Sequence, residues 1–219
     1  MTRTDLDALI FDFDGTLADS RIDFGLLRRR ALDYLRARGL DPTPVADRPV
    51  LEIRDWARGL IPPAEVAAYD EEFRQVLREV ERPFAEAALP YPGVPEALAR
   101  AHEAGLLLGL ITRNSRENVE IFLERHPLPI AVVVSRDDPE LKQVKPEPDH
   151  LLLALRRLGV APARAMIVGD YPFDIECGLR AGARTGAVLT TGQTADTFRA
   201  LGADLIAPDV PALLALLLG

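Results

Sequence analysis

Short apolar runs alternate with helical patterns along most of this chain, and that alternation restricts the fold more than any other feature of the sequence. Runs at residues 8–13, 106–112, 130–135, 165–169 and 187–189 read as strands, with 203–206 as a further candidate. The helical patterns between them are 95–104 before Gly105, 115–125, 148–158 before Gly159, and 174–181 before Gly182. Strands alternating with helices pair in parallel through crossover connections, so helices cover both faces of the sheet. The expected fold class is α/β, with a doubly wound parallel sheet. Ligands of such sheets bind beyond the carboxyl ends of the strands, and Asp12, Thr112 and Asp170 fall at those ends.

One crossover breaks the pattern. The first two strands are separated by far more chain than a single helix needs, and residues 19–88 read as a helical insertion. Its helices are expected at 21–38 after Ser20, 50–60 and 63–81, with a proline-containing exit over 88–92 before Gly93. Residues 1–18 with 89–219 then form the core domain and 19–88 a small all-α cap. Two nearby hinges around a helical module describe a lid. The closing segment PALLALLLG is much shorter than the roughly 20 apolar residues of a membrane span and reads as a last helix on the core.

Charge and cysteine content narrow the function. A net charge of −8 over 219 residues argues against nucleic-acid binding, which needs a broad basic surface. An anionic substrate must instead be met by local charge or a metal. The one cysteine, Cys177, suits a reducing compartment, and the N-terminal MTRTDLDALI lacks the apolar run of a secretion signal. The expectation is a cytoplasmic protein without membrane association. Of 26 Lys plus Arg residues only Lys142 and Lys145 are lysines, which raises the question of what needs an ammonium there, since a guanidinium differs in shape and charge distribution.

The first strand ends in carboxylates. LIFDFDGTLADS places Asp12 and Asp14 one residue apart before a Gly15–Thr16 turn. Side chains alternate along a strand, so Phe11 and Phe13 face one way and the two acids the other. Burying a carboxylate without a partner costs several kcal/mol. A strand-end acidic pair serves either to hold a divalent cation or to combine a nucleophile with an acid–base group. A second pair follows another apolar run in AMIVGDYPFDIECG, with Asp170 at the strand end and Asp174 in the first turn of the next helix. Asp174 alone would be an ordinary first-turn carboxylate. Two such pairs make a hard-oxygen set, Asp12, Asp14, Asp170 and Asp174, suited to Mg²⁺.

The remaining pieces fit a phosphate. LGLITRNS presents the Thr112 hydroxyl and the Arg113 and Asn114 amides where a helix begins, an anion-binding arrangement. QVKPEPD supplies Lys145 on a proline-fixed loop as counter-charge to the four acids. In this order, DFDGT, ITRN, KPEPD and GDYPFD resemble the four motifs of the haloacid dehalogenase-like hydrolase superfamily, and the match spans nearly the whole chain. The position of the insertion resembles the helical-cap subfamily that contains phosphoglycolate phosphatase-like enzymes, with a Rossmann-like core.

The resemblance implies a phosphatase with Mg²⁺ as cofactor and a small phosphorylated metabolite as substrate. It implies Asp12 as nucleophile, forming an aspartyl-phosphate, and Asp14 as acid and then base, its main-chain carbonyl on the metal. Thr112 would bind phosphoryl oxygens, Lys145 would bridge Asp12 and the phosphate, Asp170 would ligate the metal, and Asp174 would support it. Gly15, Thr16, Arg113 and Asn114 are candidates for the substrate cradle, with Arg21 and Trp56 from the cap. His102, His126 and His150 show no pairing with the motifs. A dehalogenase would not need Asp14. A phosphonate-cleaving relative would need a cap lysine, and 19–88 has none. A phosphomutase uses the same acids and stays open. A phosphorylation-controlled receiver module would lack the insertion.

Overall fold

The computed structural model describes residues 5–219. Residues 1–4, part of the stretch read above for a secretion signal, lie outside the described residues. The chain divides into two compact units, one taking residues up to Ser20 together with Ala88–Gly219, the other Arg21–Ala87.

The larger unit is built on a six-stranded parallel sheet. Its strands are β1 (Ala8–Phe11), β4 (Leu107–Ile111), β5 (Val132–Val134), β6 (Ala165–Gly169), β7 (Arg184–Val188) and β8 (Leu205–Ala207), and their order across the sheet is β5-β4-β1-β6-β7-β8. The doubly wound α/β class expected from the sequence is the one found. β1 lies centrally, with Ile10 opposite Gly109 of β4 and Ile167 of β6. Its apolar run is continuous because both faces are covered. Leu9, Phe11 and Phe13 pack into one core with residues of α4 (Val94–Glu103), α5 (Arg116–Arg125) and α9 (Val210–Leu218). Ala8 and Ile10 pack into another with α6 (Asp149–Leu158) and Cys177 of α7 (Pro172–Ala181). β1 ends at Phe11, two residues earlier than expected. The alternation nevertheless persists: Phe13 is fully buried edge-on against Phe122, with ring centroids 5.0 Å apart. Each such buried side chain contributes about 1.5–3 kcal/mol.

Other boundaries moved for identifiable reasons. β7 begins three residues before the expected 187, although Arg184, Thr185 and Gly186 form no apolar run. The backbone there continues the ladder with β6, and Thr185 takes part in hydrogen bonds with the Asp204 carboxylate. A seven-residue helix α8 (Ala195–Leu201), capped by Thr194, was not expected at all. The exit from the insertion is a short strand β3 (Leu89–Pro90) paired antiparallel with β2 (Ala18–Asp19).

The smaller unit contains α1 (Phe24–Ala37), α2 (Val50–Arg58) and α3 (Val66–Ala87). The first starts at Phe24 rather than at 21 because the Asp23 carboxylate caps it, accepting from Leu26 N–H at 2.7 Å, while Arg21 holds a left-handed φ of 50°. The third continues past the expected residue 81 and through Pro83, with Val80 and Ala85 buried on its inner face. Tyr34, Tyr69 and Phe73 form its aromatic centre, with ring centroids 5.7–6.1 Å apart.

Candidate active site

The carboxyl ends of β1, β4 and β6 converge on one cluster. Directly after β1, Asp12 continues the pairing through its N–H to Val168 O at 2.9 Å. Its Oδ1 lies 2.6 Å from Lys145 Nζ, and the same ammonium lies 2.6 Å from Asp174 Oδ1. Asp174 sits in the first turn of α7, where its other oxygen accepts from Tyr171 N–H at 3.1 Å. Ligand oxygens of Asp12, Asp170 and Asp174 all lie within 4.8 Å of one another.

Asp170, directly after β6, is gripped at both oxygens. Oδ1 accepts from the Thr16 hydroxyl at 2.7 Å and Oδ2 from the Thr191 hydroxyl at 2.6 Å. Two glycines permit this density. A Cβ on Gly169 would fall 2.2 Å from the Asp174 carboxyl carbon, and one on Gly15 would fall 2.5 Å from Asp170 Oδ2. Gly15 also takes a left-handed φ of 85°, and its carbonyl accepts from the Thr190 hydroxyl.

Lys145 is the counter-charge at the centre. Burial alone would lower its pKa, but the Asp12 and Asp174 carboxylates beside it outweigh burial and raise it, so it stays protonated. Burial, above all, pushes the Asp12 carboxyl well up and the Asp170 carboxyl up to about 6, with Asp174 adding repulsion to each. One ammonium does not balance this group of acids. A compact hard-oxygen set with residual negative charge fits a divalent cation. Asp12, Asp170 and Asp174 would hold it, since a carboxylate oxygen that accepts one hydrogen bond keeps a second lone pair. The Asp14 carboxylate is outside the three-acid group and turns to Asn114, whose amide nitrogen donates to Asp14 Oδ2 at 2.9 Å. The metal role implied for Asp14 therefore rests on its main-chain carbonyl.

The loop that carries Lys145 is fixed by more than prolines. His150 reaches back to it, its Nδ1 accepting from Lys145 N–H at 3.3 Å while Nε2 bonds Val134 O at 3.0 Å. An Nδ1 acceptor with an Nε2 donor is the neutral ring. Burial first, and then Lys145, push its pKa down to about 3. The reading that His150 has no link to the motifs is thus corrected. Earlier in the same loop, buried Asp138 accepts a bidentate pair from Arg157 at 2.7 and 2.9 Å and a bond from Arg116 at 3.1 Å.

Thr112 is buried after β4, with its hydroxyl oxygen accepting from Asn114 N–H at 3.0 Å. That amide, expected to face a phosphate, is spent inside the loop. Arg113 sets its guanidinium 4.7 Å over the Phe173 ring. Arg21 and partly buried Trp56 belong to the helical unit. Sequence reasoning missed Thr190, Thr191, His150 and Asn118. A signal existed for the first two, which follow a strand end just as Asp12 and Thr112 do.

The family model described as haloacid dehalogenase-like hydrolase matches residues 9–188, a span that contains every one of these strand-end groups except Thr190 and Thr191. The chain belongs to the haloacid dehalogenase-like hydrolases. It is 33% identical over 196 residues to an N-acetylmuramic acid 6-phosphate phosphatase of Pseudomonas aeruginosa, covering 86% of this chain and 84% of the relative. It is 32% identical over 184 residues to a phosphoglycolate phosphatase of Synechococcus elongatus, covering 81% of each. Among solved structures, a hydrolase from Pseudomonas syringae superposes with a TM-score of 0.70 at 24% identity, covering 95% of this chain and 96% of that one. As a haloacid dehalogenase-like hydrolase the chain shows no helix, among its described residues, long and apolar enough to cross a membrane.

Proposed function

We propose that this hydrolase is a Mg²⁺-dependent phosphatase that cleaves a small phosphomonoester through an aspartyl-phosphate. The observation that carries the reading is the single buried ammonium of Lys145, 2.6 Å from both Asp12 and Asp174 at the ligand end of the sheet. A carboxylate approaching a phosphate dianion meets about 4 kcal/mol of repulsion per charge pair at 4 Å and an effective dielectric near 20. Lys145 offsets that repulsion and holds Asp12 in place. When bound, Mg²⁺ would supply further neutralisation of phosphoryl oxygens.

In the first step an Asp12 oxygen forms a bond to phosphorus as the ester P–O bond breaks, and the leaving oxygen takes a proton from the Asp14 carboxyl. In the second, water attacks the phosphoaspartate while Asp14 takes its proton, releasing inorganic phosphate and regenerating Asp12. Gly15, Thr16, Thr112 and Arg113 frame the phosphoryl group, whereas Asn114, its N–H on Thr112 and its side chain on Asp14, Ser115 and Asn118, does not reach it. The names of the two curated relatives suggest phosphoglycolate and phosphorylated sugars as first substrates to try. Buried Cys177, whose thiol burial pushes up to about 12, is in keeping with a cytoplasmic setting.

The test is phosphate release from a panel of small phosphoesters, with Mg²⁺ and with a chelator, alongside Asp12→Asn. Chelator-sensitive release that falls at least about 10⁴-fold in the variant is expected. Undiminished release by Asp12→Asn would refute the covalent route. Transfer of the phosphoryl group to a second substrate hydroxyl, without release, would favour a mutase.

A further inference from the structure

The segment after β4 does more than frame a phosphate. Asn114 faces Asp14 across a separation of 100 residues, and a side-chain amide can present either its oxygen or its NH₂ to a neighbour. Here the choice is forced. Asn114 Oδ1 accepts from the Ser115 backbone N–H at 2.8 Å, a group that can only donate, and from Asn118 Nδ2 at 2.8 Å. The Asn114 NH₂ must therefore point at Asp14 Oδ2. Asn118 is itself held, at 1% exposure, in the first turn of α5, with its N–H on the Ser115 hydroxyl at 3.3 Å.

We infer that Asn118 and Asn114 form a positioning relay that fixes the Asp14 carboxyl and assigns its Oδ1, the oxygen not facing Asn114, to the leaving group. Neither amide exchanges a proton with substrate. Asn118 acts only through Asn114, and Asn114 only through the orientation of Asp14. The inference rests on the phosphatase reading above and adds to it a division of labour between the two oxygens of Asp14. During transfer the Asp12–phosphorus bond forms, the ester P–O bond breaks, and the proton passes from Asp14 Oδ1 to the departing alkoxide. An ester whose leaving group is already a weak base has little use for that proton, whereas an alkyl ester depends on it.

This dependence supplies a readout that general damage to the fold would not move. We compare kcat/KM for p-nitrophenyl phosphate with kcat/KM for whichever alkyl phosphate the wild type hydrolyses, in the wild type and in Asn118→Leu, a near-isosteric change that removes the donor to Asn114. Proton transfer from a positioned group contributes about 10²- to 10⁴-fold. Loosening that group should lower the alkyl ester roughly 10- to 100-fold and leave the aryl ester within about threefold. Asn114→Ala, in a loop rather than a helix, should shift the same ratio in the same direction, and it decides the matter if Asn118→Leu melts out. Equal losses on both esters, or no loss on either, in the folded variants would overturn the relay and leave the phosphatase reading standing. Absence of phosphate release from every ester by the wild type would overturn both.

Discussion

The two units of this protein use polar residues in opposite ways. Among the described residues the sheet-containing unit buries Lys145, Asp170, Asp174, His150, Asp138, Asn114, Asn118 and several hydroxyls, whereas the helical unit buries only Glu81 of that kind. Its charged pairs, such as Arg38 with Glu72 and Arg58 with Asp70, lie at the surface. A buried polar group needs a partner and is costly to leave without one. An exposed ion pair contributes about 0–1 kcal/mol. The contrast shows where geometry is specified residue by residue and where a helical scaffold needs only its apolar stripe.

Substitutions in the two units should separate accordingly. The largest effect is expected at Lys145. Lys145→Arg places a planar, bulkier cation in a site 2% exposed and shared by two carboxylates. Phosphate release should fall by about 10³-fold or more, and near-normal turnover would show that any cation suffices.

His150→Gln comes next and concerns stability. The folded pKa, about 3, lies below the ordinary value of 6.5, so the unfolded chain takes up a proton that the folded one refuses. The stability contributed by neutral His150 is fully present above about pH 6.5 and is lost as the pH falls toward 3. Its slope is about 1.4 kcal/mol per pH unit. Gln can accept from Lys145 N–H and donate to Val134 O without titrating. Denaturant melts between pH 4 and 7 should show the wild type losing stability relative to the variant as the pH drops. Parallel curves would break the assignment.

The smallest effect is expected in the helical unit. Arg58→Ala removes an exposed partner of Asp70, and the thermal midpoint should move by no more than the equivalent of about 1 kcal/mol. A larger shift would mean that this unit, too, depends on individual charge pairs.

Legibility in the sequence followed the same division. Runs such as AMIVG announce a buried parallel strand, because both faces need apolar side chains. Arg184–Val188 does not, because its ladder is backbone and its side chains include a threonine bonded to Asp204. The acids Asp12, Asp14, Asp170 and Asp174 stood out because carboxylates at the ends of core strands are expensive without a purpose. Thr191 and Asn118 did not, since threonine and asparagine are ordinary turn and helix-start residues. Their partners, Asp170 and Asn114, are chosen by the fold rather than by a recognisable spacing. Asp170, for example, also takes a bond from Thr16, 154 residues away. Arg21 and Trp56 carry no internal signal that ties them to the acids.

The scarcity of lysine has a practical consequence. Lys142 is exposed and Lys145 is enclosed by carboxylates. Among the described residues an amine-selective reagent therefore meets one lysine side chain on the folded protein. A dye or crosslinker can be attached there without mutagenesis. The second lysine becomes available only when the ligand end of the sheet opens, so counting acylated amines by mass turns Lys145 into a built-in reporter of that opening.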